Sequence, residues 1–297
     1  MKIAVLGLGE AGSVFASGLM AGGAEVAGYD PQVLTDADQF EELKQAGMTL
    51  ACSAAEAVVD ADIIIALTSE TAVEEAALSV KDALVPGQIY LDMNLVSPLR
   101  KEKVRALLPD IDVVDGTIMK ASVKKMKHKT RVYVAGQKGK ESADALCKLG
   151  LNVTFVDETF GAACGIKLLR GIFMKSIEAS LMESVHAAEC LGISKSFMEE
   201  ICKAFRENNP FDPMLHDMIT TCPNHAARHG EEIQETIPLL QSLGIDDTMS
   251  RAIAEKFFYI DSLNLDKTIF HGRIPDEVES VLSNLPNPFA EKFCCGR

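Results

Sequence analysis

A lysine in a glycine-bounded apolar segment is the first residue of this sequence whose surroundings suit proton transfer. In GAACGIKLLRG, Lys167 lies between Gly165 and Gly171, and Arg170 follows one helical turn later. Burial or a neighbouring cation such as Arg170 lowers a lysine pKa toward neutrality, where the amine can exchange a proton with a substrate hydroxyl. Arg170 could also bind a substrate carboxylate. Lys167 is therefore a candidate general acid and base, although helical periodicity alone favours a surface lysine.

A glycine-rich motif near the N-terminus has the spacing of a dinucleotide-binding turn. The motif GLGEAG follows the apolar run KIAVL and opens a helical pattern; its residues are Gly7, Leu8, Gly9, Glu10, Ala11 and Gly12. Its three glycines permit a tight turn, close approach of a pyrophosphate, and close helix packing, respectively. Asp30 ends the next predicted strand, where a carboxylate binds ribose hydroxyls and repels a 2′-phosphate. The motif predicts binding of NAD, with NADP as the alternative.

The elements that must position these motifs change in kind near residue 160. Up to that point helical stretches, near 38–46, 71–83, 98–107 and 139–149, alternate with six predicted strands: KIAVLGLG, AEVAGYD, ADIIIALT, QIYLDMN, DVVDGTI and TRVYVAG. This alternation predicts an α/β fold, a Rossmann-type doubly wound parallel sheet, over residues 1–160. Long helical periodicity from Gly161 onward predicts an all-helical domain over residues 161–297.

Ligands of such sheets bind beyond the carboxyl ends of the strands, so the loops there supply further candidates. Leu67, Thr68 and Asn94 are candidates for the cofactor. Between Lys120 and Arg131 the chain holds six Lys or Arg residues, which suggests a field that attracts a small anionic substrate. Most of these lysines also fit a solvated basic loop; Met119, Lys120 and Ser122, nearest the strand end, are the candidates for substrate contact.

Composition narrows the classes of partner. The formal net charge is −14, which argues against nucleic acid or an anionic membrane as the main partner. The sequence has no signal-peptide pattern and no apolar run of about 18 residues, so we expect a cytoplasmic protein. Its eight cysteines form no CxxC pair and have no metal-ligand spacing with histidine, and we expect no metal site.

Four motifs, in order along almost the whole chain, resemble the β-hydroxyacid dehydrogenase family, which includes 3-hydroxyisobutyrate and 6-phosphogluconate dehydrogenases. They are GLGEAG with Asp30, DMNLVSP, DGTIMKA and GAACGIKLLRG. The sequence looks closest to a branch with a 6-phosphogluconate-dehydrogenase-like C-terminal domain of unknown function. The resemblance implies that Lys167 is the catalytic acid and base, that the substrate is a 3-hydroxy acid, and that the helix from Gly161 forms a homodimer interface.

Departures from the family motifs concern the substrate side. Met119, Lys120 and Ala121 replace a serine and two glycines, Arg170 replaces an asparagine, and Leu95 replaces a hydroxyl residue. A lysine of the family that helps close over the cofactor corresponds to a glutamate in EEI, for which the nearby His225 and Arg228 could compensate as substrate-binding residues.

Three functions remain open at this point. The first is NAD(P)-dependent interconversion of a 3-hydroxy acid and its 3-oxo acid or semialdehyde, with decarboxylation as a further step. The second is reduction of a C=N bond, as in the related imine reductases, although those usually lack the lysine. The third, suggested by the altered substrate loop, is a catalytically silent NAD(P)-binding sensor.

Overall fold

A computed structural model of the chain describes residues 1–119, 127–207 and 211–286. The described residues form eight strands: β1 Lys2–Leu6, β2 Glu25–Tyr29, β3 Thr49–Leu50, β4 Ile63–Ala66, β5 Ile89–Asp92, β6 Asp112–Ile118, β7 Val132–Ala135 and β8 Val153–Asp157. They also form eleven α-helices: α1 Glu10–Ala21, α2 Glu41–Gln45, α3 Ala54–Ala57, α4 Val73–Val80, α5 Pro98–Leu107, α6 Gly139–Lys148, α7 Ala162–Cys190, α8 Ser194–Glu207, α9 Phe211–Ser242, α10 Thr248–Ser262 and α11 Val278–Leu282.

By its internal contacts the chain divides into two compact units, Met1–Ile172 and Phe173–Arg297. The division falls within α7, whereas the predicted domain boundary lies near the start of that helix. The first eleven residues of α7, up to Ile172, therefore count with the sheet. Lys167 and Arg170 both lie in this part of the helix, so the first unit contains them together with the glycine-rich turn.

The first unit is built on one sheet with the strand order β3-β2-β1-β4-β5-β6-β7-β8. Neighbours are parallel from β3 to β6, and this order of the first six strands is that of a dinucleotide-binding Rossmann sheet. The predicted fold class is confirmed. The chain reverses direction of winding between β1 and β4, and such switch points are where doubly wound sheets bind ligands.

Both faces of the sheet are buried, because successive side chains of a strand point to opposite sides. In β1, Ile3 and Val5 contribute to a core cluster with Phe15 of α1, and Ala4 and Leu6 contribute to a second cluster on the other face. β4 and β5 are buried at every position. The central strands therefore read as continuous apolar runs, which is why the sequence revealed them.

Two features of the sheet differ from the predictions. β7 pairs antiparallel with β6, whereas a wholly parallel sheet was expected. The sequence between these strands has no helical pattern, so it gives no sign of the crossover helix that a parallel return usually requires. The two-residue β3 and the edge strand β8 were not predicted. β3 is too short to produce a pattern, and Val153 is the one buried residue of β8, so this strand does not appear as an apolar run.

The second unit is helical, as predicted. The Glu183 carboxylate on α7 caps the start of α10 by accepting hydrogen bonds from the backbone N–H of Met249 (3.1 Å) and Ser250 (3.2 Å). α9 packs against α10 and α11. This packing explains why α9 continues through Pro223 and Pro238, because tertiary contacts offset the hydrogen bonds that the prolines remove.

The turn between β1 and α1 is held by backbone contact that leaves no room for a side chain. Gly7 has φ +91°, and a Cβ built on Gly12 lies 1.9 Å from the Gly7 carbonyl oxygen. Among the residues that the structure describes, no atom lies within 4 Å of a Cβ built on Gly9. Gly12 therefore packs directly on the turn, whereas Gly9 borders open space.

We expect Gly12→Ala to lower the free energy of unfolding by roughly 2–3 kcal/mol, because α1 must shift away from the turn to admit the methyl group. Gly9→Ala is the matched control and is expected to stay within about 0.5 kcal/mol of the parent. Denaturant unfolding followed by circular dichroism measures both. Equal stability of the two variants would contradict the close packing of α1 on the turn.

Candidate functional site

A cleft of about 700 Å³ opens at the switch point between β1 and β4. Most of the candidate cofactor residues line it: Gly7, Gly9, Glu10, Ala11, Asp30, Leu67 and Thr68. Leu8 and Gly12 do not line it, since the Leu8 side chain is buried in the core and Gly12 packs on the turn. The carboxyl ends of three neighbouring strands thus bring together residues distant in sequence.

The base of this cleft fits the pyrophosphate of a dinucleotide. Gly9 is the N-cap of α1, so the start of the helix faces the cleft, and the helix dipole adds a partial positive charge there. The open space at Gly9 lets the phosphates approach the backbone. A side chain at this position would occupy that space.

Asp30 lies at the rim of the same cleft, at the end of β2. Its carboxylate accepts hydrogen bonds from the backbone N–H of Leu8 (2.9 Å) and of Gln32 (3.0 Å). These bonds fix the side chain beside the glycine-rich turn and leave each oxygen with further acceptor capacity. A carboxylate held there suits the hydroxyls of an adenosine ribose and disfavours a 2′-phosphate.

Asn94 is connected to the cleft through Thr68. The Thr68 hydroxyl donates to the Asn94 Oδ1 atom over 3.4 Å, and the buried Asn94 amide donates to the Asp92 Oδ1 atom over 2.8 Å. The Asn94 backbone N–H donates to the same Asp92 oxygen over 3.0 Å. A chain of hydrogen bonds therefore joins the cleft to the carboxyl end of β5.

Lys167 occupies the second turn of α7 and is half-buried. Burial lowers the Lys167 pKa below the usual lysine value, the nearby Lys101 cation lowers it further, and Glu70 opposes both by raising it. Glu70 belongs to the loop after β4, and the same loop carries Thr68, which lines the cleft. This loop therefore contributes both to the cofactor cleft and to the charge around Lys167. The sequence suggested Arg170 as the cation that lowers the Lys167 pKa. Arg170 is exposed, and the cation that lowers this pKa is Lys101.

Three buried charged residues near the site, Asp92, Lys101 and Asp115, were not singled out by the sequence analysis. Lys101 is fully buried, and its ammonium lies 3.3 Å from the Asp92 carboxylate and 3.3 Å from the Asp115 carboxylate. The available signal was the position of Lys101 on the apolar face of α5, where Val104 and Leu108 are also buried. A lysine at such a position needs a buried partner.

The candidate substrate residues of the first unit are only partly described. Met119 is buried, and its backbone N–H donates to the Arg131 carbonyl oxygen over 2.8 Å, extending the β6–β7 pairing. Arg170 is exposed on α7. Lys120 and Ser122 lie outside the described residues.

His225 and Arg228 lie on α9 in the second unit. The Arg228 guanidinium forms an ion pair with Glu232 over 2.7 Å, one turn along the helix. The His225 ring lies 5.8 Å from that of His229, which in turn meets Phe257 edge-on. Their role in substrate binding stays a prediction.

No group of three or more His, Cys, Asp or Glu side chains suited to a metal ion occurs in residues 1–119, 127–207 and 211–286. Within the same part of the chain, no helix has both the length and the apolar character that crossing a membrane requires.

Family comparison agrees with this geometry. Residues 2–115 match the NAD-binding domain of 6-phosphogluconate dehydrogenase, and residues 188–259 match a domain of unknown function, DUF1932. The chain therefore has a 6-phosphogluconate-dehydrogenase-type NAD-binding domain followed by a DUF1932 domain, which confirms the resemblance drawn from the motifs. An NAD-binding domain of this type belongs to the NAD(P)-dependent dehydrogenases and reductases.

Individual relatives extend the comparison. An uncharacterised 28.5 kDa protein of Methanothermus fervidus is 28% identical over 205 residues, 69% of this chain and 78% of that protein. The conserved protein MTH1747, whose structure was described as similar to 3-hydroxyacid dehydrogenases, is 25% identical with a TM-score of 0.63, covering 88% of this chain and 97% of its own. The V8 variant of an imine reductase of Myxococcus stipitatus, in complex with NAD+, has the same fold at 18% identity, with a TM-score of 0.71 and coverage of 96% of this chain and 99% of its own.

We expect Asp30→Asn to weaken NAD binding by about tenfold or more, because the substitution removes the charge that accepts the ribose hydrogen bonds. NADP binding should weaken less or improve, since the repulsion of a 2′-phosphate disappears. Titration calorimetry with both nucleotides measures the change. Asp36→Asn, which neutralises an exposed neighbour, is the control, and parallel behaviour of the two variants would argue against the assigned role of Asp30.

Proposed function

We propose that the protein is an NAD-dependent dehydrogenase that interconverts a small anionic 3-hydroxy acid and its 3-oxo acid or semialdehyde. NAD, when bound, supplies the acceptor or donor of the hydride. Lys167 takes the hydroxyl proton during oxidation and returns it to the carbonyl oxygen during reduction. NADP is the alternative cofactor, and a cytoplasmic location remains part of the proposal.

The observation that carries this proposal is the environment of Lys167. Lys167 is half-buried and its pKa is lowered. Glu70, whose charge acts on Lys167, belongs to the loop after β4, and Thr68 of the same loop lines the cleft proposed for NAD. A lower pKa increases the neutral fraction of the amine at a given pH, and the neutral form is the one that accepts a proton. The remaining protonated fraction supports the reverse reaction.

The substrate class follows from charge. Arg170 is exposed one turn beyond Lys167, and an exposed guanidinium suits a carboxylate, phosphate or sulfonate. Where the product is a 3-oxo acid, protonated Lys167 also suits the enolate formed by loss of CO2. Decarboxylation is therefore a further expectation for such substrates.

Imine reduction is a second candidate, and a shared fold favours it. Imine reductases of Streptomyces aurantiacus and Bacillus cereus match the chain with TM-scores of 0.71 and 0.72, although at 15% and 16% identity they show the fold alone. Lys167 argues for hydroxy acids, because C=N reduction needs no base to remove a hydroxyl proton. Cyclic imines belong in the assay panel for this reason.

We expect purified protein to reduce NAD with at least one member of a panel of 3-hydroxy acids bearing carboxylate, phosphate or sulfonate groups. Lys167→Met should lower kcat by roughly 100-fold or more and leave the NAD dissociation constant nearly unchanged, because general acid and base catalysis contributes about 10²–10⁴-fold. Parent activity retained by the variant would disprove the role of Lys167. NAD binding without turnover of any acid or imine would favour the sensor alternative.

The pH dependence gives an independent check. Oxidation requires neutral Lys167, so kcat for oxidation should rise with pH and level off above the Lys167 pKa, at a pH below about 10.4. Reduction requires the protonated amine and should show the opposite trend. Steady-state rates measured in both directions between pH 6 and pH 10 test this, and parallel trends in the two directions would contradict it.

We also propose that the protein is a homodimer formed through α7. This helix exposes large apolar side chains on neighbouring faces: Ile166, Leu169, Phe173, Met174, Leu181 and Met182. Exposed apolar surface of this extent marks an interaction site. The core cluster described in the second unit is small and consists of Ala187, Leu240 and Ile245, with Leu243 packed against it.

Light scattering should give twice the 32.1 kDa chain mass at micromolar concentration. Leu181→Glu should shift the mass toward the monomer, because it places a charge in the apolar contact. Leu99→Glu, at an exposed apolar position of the first unit, is the control. A monomeric parent would disprove the dimer.

A further inference from the structure

The buried ammonium of Lys101 joins three elements of the first unit. Besides the Asp92 and Asp115 carboxylates, it donates hydrogen bonds to the backbone carbonyl oxygens of Asp92 and of Gly116 (3.2 Å). Asp92 and Asp115 are register partners on β5 and β6, so their side chains project side by side from one face of the sheet. All three side chains are fully buried.

The same network holds the start of α7. The Asp115 Oδ2 atom accepts a hydrogen bond over 3.0 Å from the backbone N–H of Cys164, in the first turn of that helix. A carboxylate at this end of a helix also interacts favourably with the helix dipole. Cys164 lies one turn before Lys167, so the bond fixes the turn from which Lys167 projects.

A second contact between α5 and α7 fixes the same helix start. Gly161 immediately precedes α7 with φ +88°, and a Cβ built on it lies 3.0 Å from the Pro98 Cβ atom. Pro98 is the first residue of α5, and Lys101 follows one turn later. The two helix starts therefore pack directly on each other above the paired carboxylates.

We propose that Asp92, Lys101 and Asp115 form a positioning network for Lys167, holding the first turns of α7 against the end of β5 and the middle of β6. The proposal rests on the acid and base role proposed above for Lys167. None of the three residues needs to touch substrate. Asp92 also accepts the hydrogen bonds of Asn94, so the network orients the lysine and the Asn94 side of the cofactor cleft together.

Charge is the second way in which the network acts on Lys167. The charged groups that act on its amine are Lys101 from α5, which favours the neutral form, and Glu70 from the loop after β4, which favours the protonated form. Burial of Lys167 has the larger effect and also favours the neutral form. Removing the Lys101 charge should therefore raise the Lys167 pKa.

The first test measures the reactivity of Lys167 without relying on turnover. The full-length parent, Lys101→Met and the control Lys103→Met, which changes an exposed lysine of α5, are treated briefly with acetic anhydride at pH 8. Mass spectrometry then compares acetylation of Lys167 with that of the exposed Lys195. We expect the relative rate to fall about threefold or more in Lys101→Met, because fewer amines are neutral, and to stay unchanged in Lys103→Met.

The second test separates positioning from charge by a matched pair at Asp115. Asp115→Ala removes the acceptor for the Cys164 N–H, whereas Asp115→Asn keeps one. We expect kcat to fall by about tenfold or more in the alanine variant and to recover largely in the asparagine variant, with the NAD dissociation constant within about twofold of the parent in both. Equal kcat in the alanine variant and the parent would overturn the positioning role.

Loss of folding has its own control. Removing one member of a buried ion pair is strongly destabilising, so circular dichroism first checks that Lys101→Met is folded. A folded Lys101→Met variant whose Lys167 reacts at the parent rate overturns the effect of the Lys101 charge on Lys167, whether or not a substrate has been found. If Lys101→Met does not fold, the Asp115→Ala and Asp115→Asn pair decides the proposal.

Discussion

The burial of one ammonium group is the constraint on which the arrangement of the first unit depends. Removing the Lys101 charge from water costs several kcal/mol unless opposite charges and hydrogen-bond acceptors surround it. The two carboxylates and two carbonyl oxygens around it meet that need only if β5 and β6 pair in their observed register. A shift of this register by one residue would turn one carboxylate to the opposite face and leave the ammonium underpaired.

The two functional regions of the unit are linked through Asp92. On one side its carboxylate contacts Lys101, and on the other it accepts both hydrogen bonds of Asn94, whose Oδ1 atom receives the Thr68 hydroxyl at the cofactor cleft. A buried network of this kind is rigid because each lost bond leaves a polar group without a partner in a low dielectric. This network thus connects the candidate cofactor cleft with the turn of α7 that carries Lys167.

Sequence reasoning found the features that local chemistry determines. The GLGEAG turn is recognisable because the steric needs of Gly7 and Gly12 arise within a few residues, and Asp30 follows at the end of the next strand. Lys101 was not recognisable in the same way. Its helix gives it an apolar-face position, but its partners become visible only once β5 and β6 are paired in register. Pro223 shows the same limit in the second unit, because packing by α10 and α11 outweighs the local preference against proline in a helix.

The balance of charge around Lys167 also bears on which bond is reduced or oxidised. An imine is most readily reduced as its iminium cation, which protonated Lys167 would repel. Glu70 is the opposing charge that acts on Lys167, and the Lys101 charge is already paired with the Asp92 and Asp115 carboxylates. Like charges at such distances in a partly buried site are unfavourable. An anionic hydroxy acid reverses the sign of these interactions, since Arg170 suits its acid group and Lys167 its hydroxyl. These charges support the proposed oxidation of a hydroxy acid over the reduction of an imine, which the shared fold alone does not distinguish.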